Sequence, residues 1–230
     1  MSKSVLYWNY QNVAVNCNLD KYFQGDTMAT KPGERRLQIL QTLASMLEAP
    51  KGEKITTAAL AAKLDCSEAA LYRHFASKAQ MFDGLIEFIE QSLLSVINQI
   101  GSDESQGLKQ VEQIVALLLR FAQKNRGMTR VLIGDALVNE NERLQTRINA
   151  LLDKVEAALK QALRIAATQE NLKPDADFGA LANLLRCYVV GRWEQYARSG
   201  FSREPLTQWQ QQWPMLYFAC LSQSSAPGSA

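Results

Sequence analysis

The sequence predicts an all-α protein with a small N-terminal helical head and a larger helical body. Six prolines and twelve glycines are few for an all-β chain of 230 residues, because β-proteins of this size use such residues in many turns. Long segments rich in Leu, Ala, Gln, Glu and Arg favour helices instead. Apolar residues make up 47% of the chain, which is enough to bury a sizeable core in one or two domains.

The head begins with a helix predicted over residues 34–49, where apolar side chains recur at helical spacing. Pro50 and Gly52 stop this helix. A shorter helix follows a threonine that can serve as its N-cap, and Asp65 interrupts it at a turn where helix-turn-helix motifs commonly have glycine. Because Asp tolerates positive φ better than most residues, we expect the turn to form with an acidic side chain near its surface.

The next helix has the pattern of a recognition helix. Ser67 is a good N-cap, and Leu71 and Phe75 stand four residues apart on the inward face. The outward face is small near its start and aromatic and basic beyond, as a helix that enters the major groove by its N-terminal end requires. The candidate DNA-binding residues are Arg35, Arg36, Thr56, Thr57, Ser67, Glu68, Ala69, Tyr72, Arg73, His74 and Lys78.

A long helix is expected to join head and body without a flexible linker. Ser77 and Gln80 have the spacing of a capping box, and apolar residues keep helical spacing from there to Gly101. The body then continues with five helices, near residues 108–123, 128–132, 140–167, 177–198 and 205–221. Pro214 lies inside the last of these and is expected to kink or restart it.

Charge distinguishes the head from the body. The whole chain has a formal net charge of +2, yet residues 31–80 contain eight Lys or Arg against five Asp or Glu. This local excess suits a DNA-binding head on a nearly neutral body, and it also suits an ordinary solvated surface. Compact three-helix units share this periodicity, so spacing alone leaves DNA binding open.

Several other classes of protein and site are disfavoured. The four cysteines are dispersed and the chain has a single histidine, His74, so we expect no zinc site, no cofactor and a reducing cytoplasmic location. No glycine-rich phosphate loop or nucleophile elbow is present, which argues against an enzyme. The sequence also contains no transmembrane run and no apolar stretch typical of a secretory signal.

Residues 71–78, Leu-Tyr-Arg-His-Phe-Ala-Ser-Lys, resemble the third-helix signature of TetR-type repressors. A closer resemblance, to nucleoid occlusion factors of the TetR family, is dense over residues 34–98, patchy over 117–152 and weak afterwards. Segments that carry it include Ile55-Thr56-Thr57-Ala58 and Leu85-Ile86-Glu87-Phe88-Ile89-Glu90. The resemblance implies a TetR-like fold and a nucleoid-associated homodimer that binds palindromic chromosomal sites, inhibits assembly of the FtsZ ring over the nucleoid and has no membrane partner.

The resemblance also implies two further surfaces. The candidate FtsZ-binding residues are Phe88, Leu117, Arg120, Lys124 and Asn125. This chain departs from the related factors at Val96, Arg120 and Lys124, where they have arginine, glycine and arginine. The final helix pair is expected to form the dimer interface through Leu185, Tyr188, Val189, Trp193, Trp213 and Tyr217.

Three alternatives remain open at this point. Phe88, Leu117 and the aromatic residues of the last helices can simply pack in the core of one protomer. The body can instead hold a small molecule that releases DNA, as in a ligand-responsive repressor. The segment before residue 28 is either translated upstream sequence, a disordered extension or an aromatic arm. We therefore expect an N-terminal extension (residues 1–30), a helix-turn-helix domain (31–80), a dimerisation and partner or ligand domain (81–222) and a disordered tail (223–230).

Overall fold

A computed structural model of the protein describes residues 32–49, 55–169 and 177–221. The expected N-terminal extension and C-terminal tail lie outside these ranges. Within them the chain forms nine α-helices, a 3-10 turn and no strand, which confirms the all-α prediction. The helices are α1 (Pro32–Met46), α2 (Thr57–Lys63), α3 (Glu68–Tyr72), α4 (Lys78–Asp103), α5 (Gly107–Lys124), α6 (Arg126–Leu132), α7 (Glu142–Gln169), α8 (Phe178–Arg198) and α9 (Trp209–Leu221).

Helices α1 to α3 form the head, and side-chain caps begin the two short ones. Thr56 Oγ1 accepts a hydrogen bond from the Ala59 amide at 3.1 Å, and Ser67 Oγ accepts one from the Ala70 amide at 3.2 Å. Asp65 has a φ of +48°, which confirms the left-handed turn. Helix α3 ends at Tyr72, so the prediction of a helix reaching Phe75 is wrong. Phe75 nevertheless fills the head core, with 1% exposure.

Helix α4 is continuous over 26 residues, about 39 Å at the usual rise per residue, and it belongs to both head and body. The predicted capping box forms in a modified way. Ser77 Oγ accepts a hydrogen bond from the Gln80 amide at 3.2 Å, whereas Gln80 Oε1 reaches back to the Ala76 amide at 2.9 Å. Because its inward side chains are buried along the whole length, head and body share one continuous core.

In the body α4 packs against α5 and α7, α8 packs against α5 and α7, and α9 lies against α5 and α8. The buried Trp193 indole N–H donates to the Leu118 carbonyl at 3.0 Å and so fixes α8 on α5. Helix α9 begins at Trp209 rather than near residue 205. In the turn before it, the Arg192 guanidinium donates to the carbonyl oxygens of Glu204 and Pro205. Pro214 lies within α9 and does not restart it. No helix among the described residues is long and apolar enough to cross a bilayer.

The head contacts the body through α6. We call this contact the seat; it consists of Ala44, Gly127 and Arg130 with the carbonyl oxygens of Leu47 and Ala49. A Cβ added at Gly127 would lie only 2.0 Å from the Ala44 carbonyl oxygen, so the backbones of α1 and α6 meet here without an intervening side chain. Arg130 Nη1 donates to the carbonyl oxygens of Leu47 and Ala49, at 3.3 Å each. These oxygens belong to the turn that follows α1 and would otherwise lack helical partners. The seat therefore fixes the end of α1 against the body.

Candidate nucleic-acid interface

The outward surface of the helix-turn-helix has small side chains near the starts of α2 and α3. It has large side chains at the end of α3. Ala58, Ala59 and Ala69 are exposed, and they allow close approach of another backbone or a groove edge. Tyr72 is 45% exposed despite its size, and Arg73 beside it is also exposed. This matches the arrangement expected of a helix that enters the major groove, with phosphate-contacting groups at its rim.

The Thr57 hydroxyl links α2 to α3 on this surface. Thr57 Oγ1 donates to Glu68 Oε2 at 2.5 Å, and the Tyr72 hydroxyl lies 3.5 Å from Thr57 Oγ1. The first contact is a short, charge-assisted hydrogen bond, while the second is at the limit of hydrogen-bond distance. The network holds the start of α2 and the exposed face of α3 in one arrangement.

The two arginines at the start of α1 support the motif from within the protein. Arg36 Nη1 donates to the His74 carbonyl at 2.9 Å, and its guanidinium lies 4.2 Å from the centroid of the Phe75 ring. Arg35 donates to Gln38 Oε1 at 2.6 Å and to the Leu64 carbonyl at 3.3 Å. Both side chains thus brace α1 against the turns that flank α3, and their remaining N–H groups stay available to a phosphate.

Two other predicted DNA-binding residues are less accessible. His74 is half-buried. Lys78 is half-buried as well and forms an ion pair with Glu140, in the loop that precedes α7. Its ammonium also lies 5.6 Å from the Phe82 ring centroid. The charge of Lys78 is therefore engaged in fastening the head to the body, a role that the sequence pattern did not indicate.

The predicted partner-binding residues lie on α4 (Phe88), on α5 (Leu117, Arg120 and Lys124) and at the junction after α5 (Asn125), and they differ in accessibility. Lys124 is exposed, while Phe88 and Arg120 are half-buried. Leu117 is 3% exposed and Asn125 is 6% exposed, so these two side chains present little surface to a partner. Leu117 packs in the core. Asn125 Nδ2 donates to the Phe121 carbonyl at 2.8 Å, and the residue forms the junction between α5 and α6.

The predicted dimer residues need a similar correction. Leu185, Val189 and Trp193 are each 1% exposed, so the prediction that Val189 faces outward is wrong and all three belong to the core of one protomer. Tyr188, Trp213 and Tyr217 are half-buried. Tyr188 donates to Gln212 Oε1 at 2.7 Å, and burial raises the pKa of its hydroxyl.

A different apolar surface is exposed on the last two helices. Leu184 on α8 and Met215 and Phe218 on α9 are large side chains that the monomer leaves accessible, with Met215 71% and Phe218 72% exposed. Sequence reasoning missed them. For Leu184 a sequence signal was available. Leu184 and Tyr188 form a second apolar stripe on α8, one residue before the buried stripe that contains Leu185 and Val189.

Comparison with known proteins identifies the family. Residues 52–85 match the bacterial regulatory proteins of the tetR family, and residues 105–220 match the SlmA-like tetracyclin repressor-like C-terminal domain. The chain is 50% identical to the nucleoid occlusion factor SlmA of Alteromonas mediterranea over 185 residues, which cover 80% of this chain and 95% of that protein. It is 52% identical to the SlmA of Shewanella pealeana over 187 residues, covering 81% and 95%. This chain belongs to the SlmA family of nucleoid occlusion factors.

Membership of the SlmA family confirms the resemblance seen in the sequence and makes the protein a DNA-binding regulator of the TetR family. Solved structures share the fold. PfmR of Thermus thermophilus, a TetR-family transcriptional regulator, has a TM-score of 0.64 at 16% identity and covers 82% of this chain and 100% of its own. The ketosteroid regulator KstR2 of Mycobacterium tuberculosis has a TM-score of 0.63 at 18% identity, covering 85% and 96%. At these identities the likeness shows the fold alone.

Replacing both Tyr72 and Arg73 by alanine should weaken binding to every DNA sequence. We expect these two exposed side chains to lie where phosphates pass the rim of the groove. The loss of one cationic phosphate contact per protomer should lower the slope of log K against log salt by about 0.9 for each contact. Gel-shift titrations at several salt concentrations measure both effects. Arg164→Ala, an exposed charge change on α7 near the end remote from the head, is the matched control. Unaltered binding by the double variant would refute the assignment of this surface.

Proposed function

We propose that the protein binds palindromic chromosomal sites as a homodimer and, when bound, inhibits assembly of the FtsZ ring over the nucleoid. The observation that carries the proposal is a pair of exposed cations, Lys124 and Arg126, at the junction between α5 and α6. Helix α6 is the helix that contacts the DNA-binding head. Exposed Lys124 ends α5 one residue before the junction Asn125, and α6 then contacts α1 directly through Gly127. The proposed DNA site on the head and the proposed partner site near Lys124 are thereby joined by the contact between α1 and α6.

Dimerisation follows from the small size of the recognition helix. Helix α3 has only five residues, and a single module of this kind buries too little DNA surface for a specific site. A two-fold dimer presents two such helices to half-sites one turn of DNA apart, about 34–36 Å, so its site is a palindrome. The apolar surface of Leu184, Met215 and Phe218 supports α8 and α9 as the interface, since exposed side chains of this size are typical of a surface that a partner covers.

Met215→Glu should yield a folded monomer with weak DNA binding. A carboxylate in the middle of an apolar two-fold interface is repeated by the partner copy, so two charges are desolvated together. Sedimentation measures the oligomeric state, and circular dichroism checks the fold. Val138→Glu is the matched control, because Val138 is 67% exposed and lies outside α8 and α9. A Met215→Glu protein that sediments as a dimer would locate the interface elsewhere.

The partner surface suits an acidic segment such as the tail of FtsZ. Lys124 and Arg126 are exposed cations on either side of the junction Asn125, and Arg120 lies one helical turn before Lys124. The Arg126 guanidinium is held by the Tyr196 hydroxyl at 3.3 Å. A half-buried aromatic residue, Phe88 on α4, supplies apolar surface on a helix packed against α5. Cations arranged on a fixed support attract a carboxylate-rich chain and orient it.

Two connections support coupling between DNA and the partner. Helix α4 runs without interruption from the head into the body, and it carries Phe88. The seat of α1 on α6 links the head to the junction that follows Lys124. A small reorientation of the head on DNA would therefore move both Phe88 on α4 and Lys124 at the end of α5. Such a linked movement is the physical requirement for a coupling free energy between two sites.

Thermodynamic reciprocity gives the test of the proposal. If a specific duplex lowers the Kd of an FtsZ-tail peptide by some factor, the saturating peptide must lower the Kd of the duplex by the same factor. Fluorescence anisotropy titrations in both directions measure the two factors. Lys124→Glu should weaken peptide binding at least tenfold, about 1.4 kcal/mol, with unchanged duplex affinity. Lys109→Glu, at the opposite end of α5, should change neither affinity.

The outcome also separates the two functions that the sequence left open. A coupling factor clearly above one, found in both directions, supports the DNA-dependent division inhibitor. No peptide binding with or without duplex, together with release of the DNA by a small ligand, identifies a ligand-responsive repressor instead and refutes the proposal.

A further inference from the structure

We infer that the Glu68 carboxylate accepts a hydrogen bond from the N4 amino group of a cytosine in each half-site, with Thr57 as its positioning residue. The inference deepens the DNA-binding function and rests on α3 acting as the recognition helix. It assigns a base preference to an acidic residue in a surface that otherwise attracts DNA through cations.

The position of Glu68 places its carboxylate at the bases rather than at the phosphates. It is the first residue of α3 and is exposed, next to the exposed Ala69. The N-terminal residues of a recognition helix point to the floor of the major groove, whereas residues farther along contact the groove edges. The small Ala69 beside it leaves room for close approach.

The charge of Glu68 has no counterion within the described part of the protein, because none of the ion pairs formed there includes this residue. An unpaired carboxylate close to a polyanion opposes binding by electrostatic repulsion. A donor on the DNA offsets that repulsion, and the donors exposed in the major groove are the amino groups of cytosine and adenine.

The carboxylate is also held in place before DNA arrives. Thr57 Oγ1 donates to Oε2 at 2.5 Å, and no other hydrogen bond to the carboxylate is formed among the described residues. Oε1 is thus left to accept from outside. Thr57 is itself fixed in the first turn of α2 behind the Thr56 cap. A side chain with a preset rotamer loses less conformational entropy when it binds, which strengthens its discrimination.

Chemistry selects cytosine among the four bases. Guanine presents two acceptors in the major groove and thymine presents an acceptor and a methyl group, so both repel a carboxylate or leave it unpaired. Adenine presents an amino group beside the N7 acceptor, whose lone pair opposes a second carboxylate oxygen. Cytosine presents its amino group without a neighbouring acceptor, and acidic side chains accept from it in known complexes.

Selection from a random duplex pool, performed with the full-length protein, tests the inference. The wild-type protein should select a cytosine at one symmetric position of each half-site, and Glu68→Ala should lose the preference at that position alone. Thr57→Val should weaken the same preference because the carboxylate loses its positioning bond. Thr57→Ser, which keeps the hydroxyl, should retain it and serves as the matched control.

A base analogue supplies the second measurement. Replacing the selected cytosine by 2-pyrimidinone removes the amino group and with it one pairing hydrogen bond to guanine, so the effect is compared between two proteins. The change should weaken wild-type binding about 5- to 150-fold, the range expected for one specific base contact. The same replacement should leave the affinity of Glu68→Ala nearly unchanged, so the protein change and the base change are not additive.

Two results would overturn the inference. If Glu68→Ala retains every base preference and merely lowers the melting temperature, Glu68 is a structural link between α2 and α3. If the analogue weakens wild-type and Glu68→Ala equally, another residue reads the cytosine. Both results leave sequence-specific DNA binding intact, whereas failure of the wild-type protein to select any sequence would refute the proposed binding to specific palindromic sites and the inference together.

Discussion

The contact between Gly127 and the Ala44 carbonyl oxygen determines how the DNA-binding head meets the rest of the molecule. With a prospective Cβ only 2.0 Å from that oxygen, the backbones of α1 and α6 approach more closely than any side chain permits. Arg130 completes the seat by satisfying two carbonyl oxygens beyond the end of α1, and the Lys78–Glu140 ion pair fastens the other side of the head. The orientation of α3 relative to the proposed dimer surface on α8 and α9, and hence the spacing of two recognition helices in such a dimer, depends on this seat.

The segment on the body side of the seat is itself held firmly. Thr129 Oγ1 donates within hydrogen-bond distance of both the Ala122 and Asn125 carbonyl oxygens, at 3.0 and 2.9 Å. The Tyr196 hydroxyl of α8 reaches the Gln123 carbonyl at 3.2 Å. The junction between α5 and α6 is therefore bonded to itself and to α8, and it contacts α1. We therefore expect a displacement of the head to move the cationic end of α5.

The sequence predicted those features that local chemistry decides. Helical periodicity gave the helices, side-chain oxygens gave the caps at Ser67 and Ser77, and the tolerance of Asp for positive φ gave the turn at Asp65. The resemblance to the TetR family supplied the head-and-body architecture. Long-range features were not accessible in this way. The partner of Lys78 is 62 residues away, and the turn before α9 accepts hydrogen bonds from Arg192 on the preceding helix.

Faces of helices were the hardest feature to predict. Helix α8 is apolar on two sides, so periodicity alone did not show that Val189 faces the core while Leu184 faces outward. Leu117 and Asn125 presented the same difficulty at the end of α5, because similarity to a partner-binding position does not reveal whether the side chain is accessible. Packing against α7 and α9 decides these orientations, and packing is a property of the whole fold.

The central claim is that DNA binding at the head changes the junction between α5 and α6 through the α1 seat. Amide hydrogen exchange, measured with and without a specific duplex, tests this most directly, since it reports local opening residue by residue. The account predicts altered protection in residues 125–132 as well as in residues 55–78, with unchanged exchange in the middle of α7. Altered protection confined to residues 55–78 would contradict it.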